Sequence, residues 1–160
     1  MTETGARWIR RTMMPVIVVG LMAVAGTPTS EDLGAQGRKR VTATRIFTGA
    51  DGQTHAEEIE VPLKSRGGLG ELSEPYKVTG LEFRRTPSGY LYDWHTAPRR
   101  QFVVTLSGRG EIELVGGKKI PLEPGHILLA EDLTGKGHIS RGVGAEERIS
   151  LFIHLAEPAR

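Results

Sequence analysis

The residues of this chain whose types and spacing could do chemistry gather between Tyr90 and Gly108, YLYDWHTAPRRQFVVTLSG. Asp93 and His95 stand two residues apart in an alternating segment. Alternation along a strand puts Leu91, Asp93 and His95 on one face and Tyr90, Tyr92 and Trp94 on the other. A carboxylate beside an imidazole on one strand face is a candidate for metal ligation or acid/base work. Arg99 and Arg100 come next in a short loop with Pro98, where they could grip an anion through bidentate hydrogen bonds or clamp Glu131 or Asp132. Further on, the glycine-rich loop Glu131 to Gly137 delivers His138. The chemistry depends on whether the face of Asp93 and His95 is the inside of a barrel. Tyr90, Tyr92 and Trp94, on the opposite face, are then expected between sheets or at a dimer surface.

The elements that must position these residues are strands. Val41–Phe47 and Thr54–Val61 flank an Asp51-Gly52 hairpin signal. Pro62 to Pro75 reads as a long loop that covers one end of a barrel or mediates association. Lys77–Arg85 alternates and ends at Thr86-Pro87-Ser88-Gly89, a turn with proline in its favoured early position. Tyr90–His95 and Gln101–Leu106 come next. Ser107 to Gly110 then turns the chain into Glu111–Val115, followed by Lys118–Leu122, Ile127–Ala130 and Arg148–Leu155. About nine short strands, punctuated by 21 glycines and 9 prolines and with no amphipathic helix, imply an all-β sandwich or closed barrel.

The N-terminus reads differently. Arg7, Arg10 and Arg11 precede the uncharged run Met13 to Ala25, which is too short for a membrane-spanning helix but suits a secretory signal. Ala23-Val24-Ala25 offers a small-x-small cleavage site, and a second cut lies after Ala35. The organisation expected is a signal peptide or uncleaved signal anchor over 1–25, a polar linker over 26–38 and a β-barrel domain over 39–160. That places the protein outside the cytoplasm, touching membrane only through an uncleaved leader. The leader holds three Arg and one Glu, which leaves 18 basic and 18 acidic residues of the chain's 21 and 19. The mature charge is about zero, so no basic face supports nucleic-acid binding. With no cysteine there is no disulfide, thiolate nucleophile or zinc-cysteine site. Nor is there a Gly-x-Ser-x-Gly elbow or a phosphate-cradling GxxxxGK[ST] loop.

From about Lys77 to Leu155 the chain resembles the cupin superfamily, small jelly-roll barrels also called double-stranded β-helices. Asp93-Trp94-His95 stands where the first cupin motif carries His-x-His, Gln101 stands near the place of its glutamate, and Gly108 closes the motif. Pro124-Gly125, Ile127–Ala130 and His138 match the second motif. The resemblance implies a cupin-type barrel, association as a homodimer, and a metal site whose ligands here would be Asp93, His95 and His138. It also shows two departures, aspartate for the first histidine and glutamine for the glutamate. The gap from His95 to Gln101 is also one residue longer than usual.

Two functions are expected on these grounds. In the first, Asp93, His95 and His138 hold Fe, Mn, Ni or Zn as a Lewis-acid or oxygen-activating centre. Gln101 then orients substrate or metal-bound water, and Arg99 or Arg100 neutralises a substrate carboxylate. In the second, the same pocket binds or senses a small molecule by hydrogen bonds, with neither metal nor catalysis.

Overall fold

The computed structural model describes residues 39–156, so the leader and linker readings over 1–38 lie outside the described residues. The described chain forms twelve strands in order: β1 (Thr42–Thr48), β2 (Thr54–Glu60), β3 (Lys64–Ser65), β4 (Glu71–Leu72), β5 (Val78–Thr86), β6 (Leu91–His95), β7 (Gln101–Ser107), β8 (Arg109–Glu113), β9 (Lys119–Leu122), β10 (Ile127–Glu131), β11 (His138–Val143) and β12 (Arg148–Leu155). The all-β expectation holds. No helix among the described residues is long and apolar enough to cross a membrane.

A six-stranded sheet runs β2-β1-β10-β7-β12-β5 and a four-stranded sheet runs β6-β11-β8-β9. Apart from the parallel β1–β10 pair, the neighbours in these sheets are antiparallel. The chain crosses between the sheets, as in a jelly roll: β5 and β7 belong to the large sheet, β6 between them to the small one. Alternation explains how the sheets hold together. On β7, Val103 enters the core between the sheets, with Leu128 and Ala130 of β10 and Phe152 of β12. The small sheet answers with Ile112, Ile120 and Leu122. Apart from Ala130, each of these side chains contributes about 2 kcal/mol when fully buried.

The other parity of β7, β10 and β12 places Phe102, Leu129 and Leu155 in a second cluster. Tyr76, at the end of the long segment after β2, packs edge-on against Phe102 with ring centroids 5.0 Å apart. The segment expected as a plain loop also holds the small hairpin β3–β4. Strand β5 leaves Leu81 and Phe83 exposed at the edge of the large sheet.

Two differences from the expected strands bear on the site. Residues 138–143, where the sequence shows only the exit of a glycine-rich loop, form β11 inside the small sheet, between β6 and β8. Strand β6 carries a bulge: His138 pairs with His95 but Ser140 pairs with Tyr92, so three residues of β6 span two of β11.

Candidate functional site

A cavity of about 300 Å³ lies between the sheets, at the small end of the range for ligand pockets. Val103, Ile112, Leu122, Leu128, Ala130 and Phe152 supply its apolar wall. Polar groups enter at two places.

The first is the histidine pair. Because β6 and β11 are adjacent, His95 stands directly across from His138, with ring centroids 4.4 Å apart and planes inclined at 56°. Gly137 makes that approach possible. Its φ is +75°, and a Cβ there would collide with the His95 carbonyl oxygen, so only glycine fits. Tyr92 packs its ring 4.0 Å from that of His95.

His95 Nδ1 lies 2.8 Å from the Asp93 carbonyl oxygen. A carbonyl only accepts, so Nδ1 carries the proton. Burial lowers the His95 pKa and the neighbouring His138 adds to this, against the Asp93 bond and the Asp132 carboxyl, which raise it. A neutral ring protonated at Nδ1 presents Nε2 as an acceptor. His138 Nδ1 lies 2.6 Å from Asp132 Oδ2. Asp132 is fully buried, takes a second bond from Thr54 Oγ1 at 3.2 Å, and its backbone carbonyl accepts from the Ala97 N–H. The aspartate therefore fixes the plane of the His138 ring. Gln101, buried at the start of β7, also lines the cavity.

The remaining residues singled out from the sequence fall elsewhere. Asp93 does not share the face of His95: it is exposed, is absent from the cavity wall, and accepts from the Trp94 N–H at 2.8 Å. The bulge is the reason, since one extra residue reverses the parity on either side of it. Tyr90 and Tyr92, expected between sheets or at a dimer surface, line the cavity between the sheets.

Arg99 and Arg100 do not reach the cavity wall either. Arg100 donates through Nε and Nη2 to Glu131 Oε1, at 2.8 and 2.5 Å. Glu131 also accepts from Arg45 Nε at 2.6 Å. Arg99 is exposed and donates to His154 Nδ1 at 3.0 Å. Arg100 is thus a structural clamp on Glu131. Burial alone would raise the Glu131 pKa, but the bonds and charges of Arg45 and Arg100 outweigh it and hold the carboxyl low. Glu131 and Asp132, on a glycine-rich segment that reads as a loop, instead anchor the site from behind.

The donor set does not complete a metal centre. Two imidazoles face the cavity, each with its Nδ1 fixed by an oxygen acceptor, as metal-bound histidines commonly are. Among the described residues, however, no group of three or more His, Cys, Asp or Glu side chains is placed to hold one ion. Asp93 points away, and Asp132 Oδ2 is already committed to His138.

The second polar entry lies outside the residues that the sequence motifs single out. Arg148, the first residue of β12, lines the cavity and is only 7% exposed. Its Nε and Nη1 have no hydrogen-bond partner among the described residues. Burial is the main cause lowering its pKa and nearby Arg84 adds to it, while Tyr90 opposes both. Parity held the signal: Arg148, Ser150, Phe152 and His154 are the buried positions of β12 before its last residue, so an arginine stands on an inward face. Across the barrel Arg148 lies against Gly110 of β8, where a Cβ would meet its Nη1 at 3.1 Å and its Cδ at 3.2 Å.

No family model and no curated protein matches the sequence. Among solved structures the chain is similar to several cupins. The cupin domain of Cnp3 from Schizosaccharomyces pombe is 11% identical, over 77% of this chain and 88% of that one, with a TM-score of 0.40. A cupin-2 domain protein from Shewanella frigidimarina is 11% identical, over 79% and 91%, at 0.38. An RmlC-like cupin from Desulfovibrio desulfuricans is 20% identical, over 50% and 80%, at 0.35. These are likenesses of fold.

Proposed function

We propose that this cupin-type barrel is an exported small-molecule binding protein, whose ligand occupies the cavity and is held by hydrogen bonds with His95, His138 and Gln101 without a metal. The observation that carries the reading is the donor set on the cavity wall: two imidazoles with Nδ1 committed to Asp93 O and Asp132 Oδ2, and no third His, Cys, Asp or Glu side chain among the described residues placed to share an ion with them. This leaves Nε2 as the ring nitrogen for a ligand at each position. Ring orientations fixed by these bonds, the one to Asp132 buried, lower the ordering cost of binding. Support for export comes from the basic, then apolar, then small-residue pattern over 1–25.

A second reading, a metal-dependent pocket, is favoured by one feature: the Asp132–His138 pair is the arrangement that orients metal-bound histidines. The ion's remaining donors would then have to come from the ligand or solvent.

One experiment separates them. Mature protein is screened by thermal shift against neutral polar metabolites with chelator present, beside elemental analysis after anaerobic reconstitution. Stabilisation that survives chelator and is lost in His95→Ala and His138→Ala is the expected result. One equivalent of transition metal in the wild type, absent from both variants, would overturn the metal-free reading.

A further inference from the structure

We propose that the ligand is a small organic monoanion, a carboxylate with an apolar body, and that Arg148 takes its charge. The inference rests on the cavity being a ligand site and adds the ligand's class.

Arginine pairing across the barrel makes the case. Arg45 reaches Glu57 and Glu131, Arg100 reaches Glu131 and Arg141 reaches Glu113. Each of these side chains keeps from 25% to 34% of its surface in solvent. Arg148 is far more buried, yet its Nε and Nη1 go without a partner and it makes no ion pair with a carboxylate among the described residues. An unpaired buried charge is among the costliest features a fold can carry, and it favours any anion that can reach it. The cavity gives that access, since Arg148 is part of its wall.

The surroundings hold the guanidinium in place. Gly110 leaves the space it occupies against β8, and a side chain there would press on both Nη1 and Cδ. Gly110 pairs with Gly142, four residues along β11 from His138. The two polar entries are therefore separated by about 13 Å of strand, with the apolar wall between them.

Charge and wall together set the ligand class. Arg84 and Arg85, which also line the cavity, already face Glu82 at 3.3 Å and Glu147 at 3.7 Å, and Arg84 lies over the Phe152 ring. One uncompensated positive charge remains, which suits a carboxylate rather than a phosphate monoester carrying close to two negative charges. Val103, Leu128 and Phe152 suit an alkyl or aryl body. A donor on that body would find the Nε2 acceptor of His95.

The test is calorimetric titration of the full chain in low-chloride buffer with hexanoate, hexanamide and inorganic phosphate. Hexanoate is expected to bind at least about tenfold more tightly than hexanamide, the discrimination of one charge-assisted hydrogen bond. Arg148→Met should lose hexanoate on the order of tenfold to hundredfold while melting no lower than wild type, because it removes an unpaired buried charge. Arg148→Lys, which keeps the charge without the planar fork, should bind hexanoate with intermediate affinity. Equal binding of hexanoate and hexanamide would overturn the inference and leave the ligand-binding reading standing. Tighter binding of phosphate than of hexanoate overturns the carboxylate class. If hexanoate does not bind and the neutral metabolite screen also yields nothing, both readings fall together.

Discussion

At one end of the cavity His95 and His138 have their Nδ1 atoms seated on protein acceptors, while at the other Arg148 is buried with two nitrogens unmatched. The contrast separates two ways a fold can prepare for a ligand. At the histidine end both ring Nδ1 atoms have protein partners, so the ring geometry is set before anything binds and it offers direction. The arginine end is unsatisfied, so its attraction is left over for whatever enters. A position that stabilises the protein and one that strains it are both needed to tell orientation from affinity.

The largest effect should come from breaking the partnered end. Asp132→Ala leaves the His138 Nδ1–H and the Thr54 hydroxyl without their buried acceptor. Denaturant unfolding should show a loss of about 3 kcal/mol. A midpoint within error of wild type would mean that Asp132 does not hold the ring, and the contrast between the two ends would collapse.

A smaller loss, about 1 kcal/mol, is expected for Gly110→Ala, whose Cβ would crowd Arg148 and the Arg141 carbonyl oxygen at 3.1 Å. That variant sharpens the comparison. It should weaken hexanoate binding by displacing the guanidinium, while neutral compounds that depend on His95 bind as before. Equal weakening of both classes in titrations would show that the two ends are not independent.

The smallest expected effect is on pH dependence. Burial is the leading cause that lowers the pKa of both His95 and His126. The unfolded chain therefore takes up these protons first as pH falls, so this part of the stability is complete above about pH 6.5 and declines below it. The melting temperature should drop from pH 7.5 to 5.5, and His95→Gln should flatten part of the slope. A slope unchanged by His95→Gln would argue against the half-buried neutral ring.

Much of the fold was legible. The Asp51-Gly52 and Pro124-Gly125 turns, the alternation in Gln101–Leu106 and the apolar runs in Ile127–Ala130 and Arg148–Leu155 locate their strands to within a residue or two. Strand β11 was not legible because Ile139-Ser140-Arg141-Gly142-Val143 is too polar to read as buried. Its neighbours β6 and β8 make it a strand by supplying hydrogen bonds on both edges. The site was legible in part. Spacing put His95, Gln101 and His138 together as candidates, and all three line the cavity. Asp93 was lost to the bulge, which no local pattern announces.

By itself, then, the sequence determined an all-β chain, its turn positions and which residues of a strand share a face. These follow from local rules: period-two alternation, glycine at turns, proline at strand ends. The tertiary structure alone decided that β6 bulges opposite β11, that Asp132 stands behind His138, that Arg100 is consumed by Glu131 and that Arg148 meets Gly110 instead of a carboxylate. Each of those depends on which strands become neighbours across long stretches of chain. Local periodicity gives a residue its face, but only the completed barrel gives it a partner.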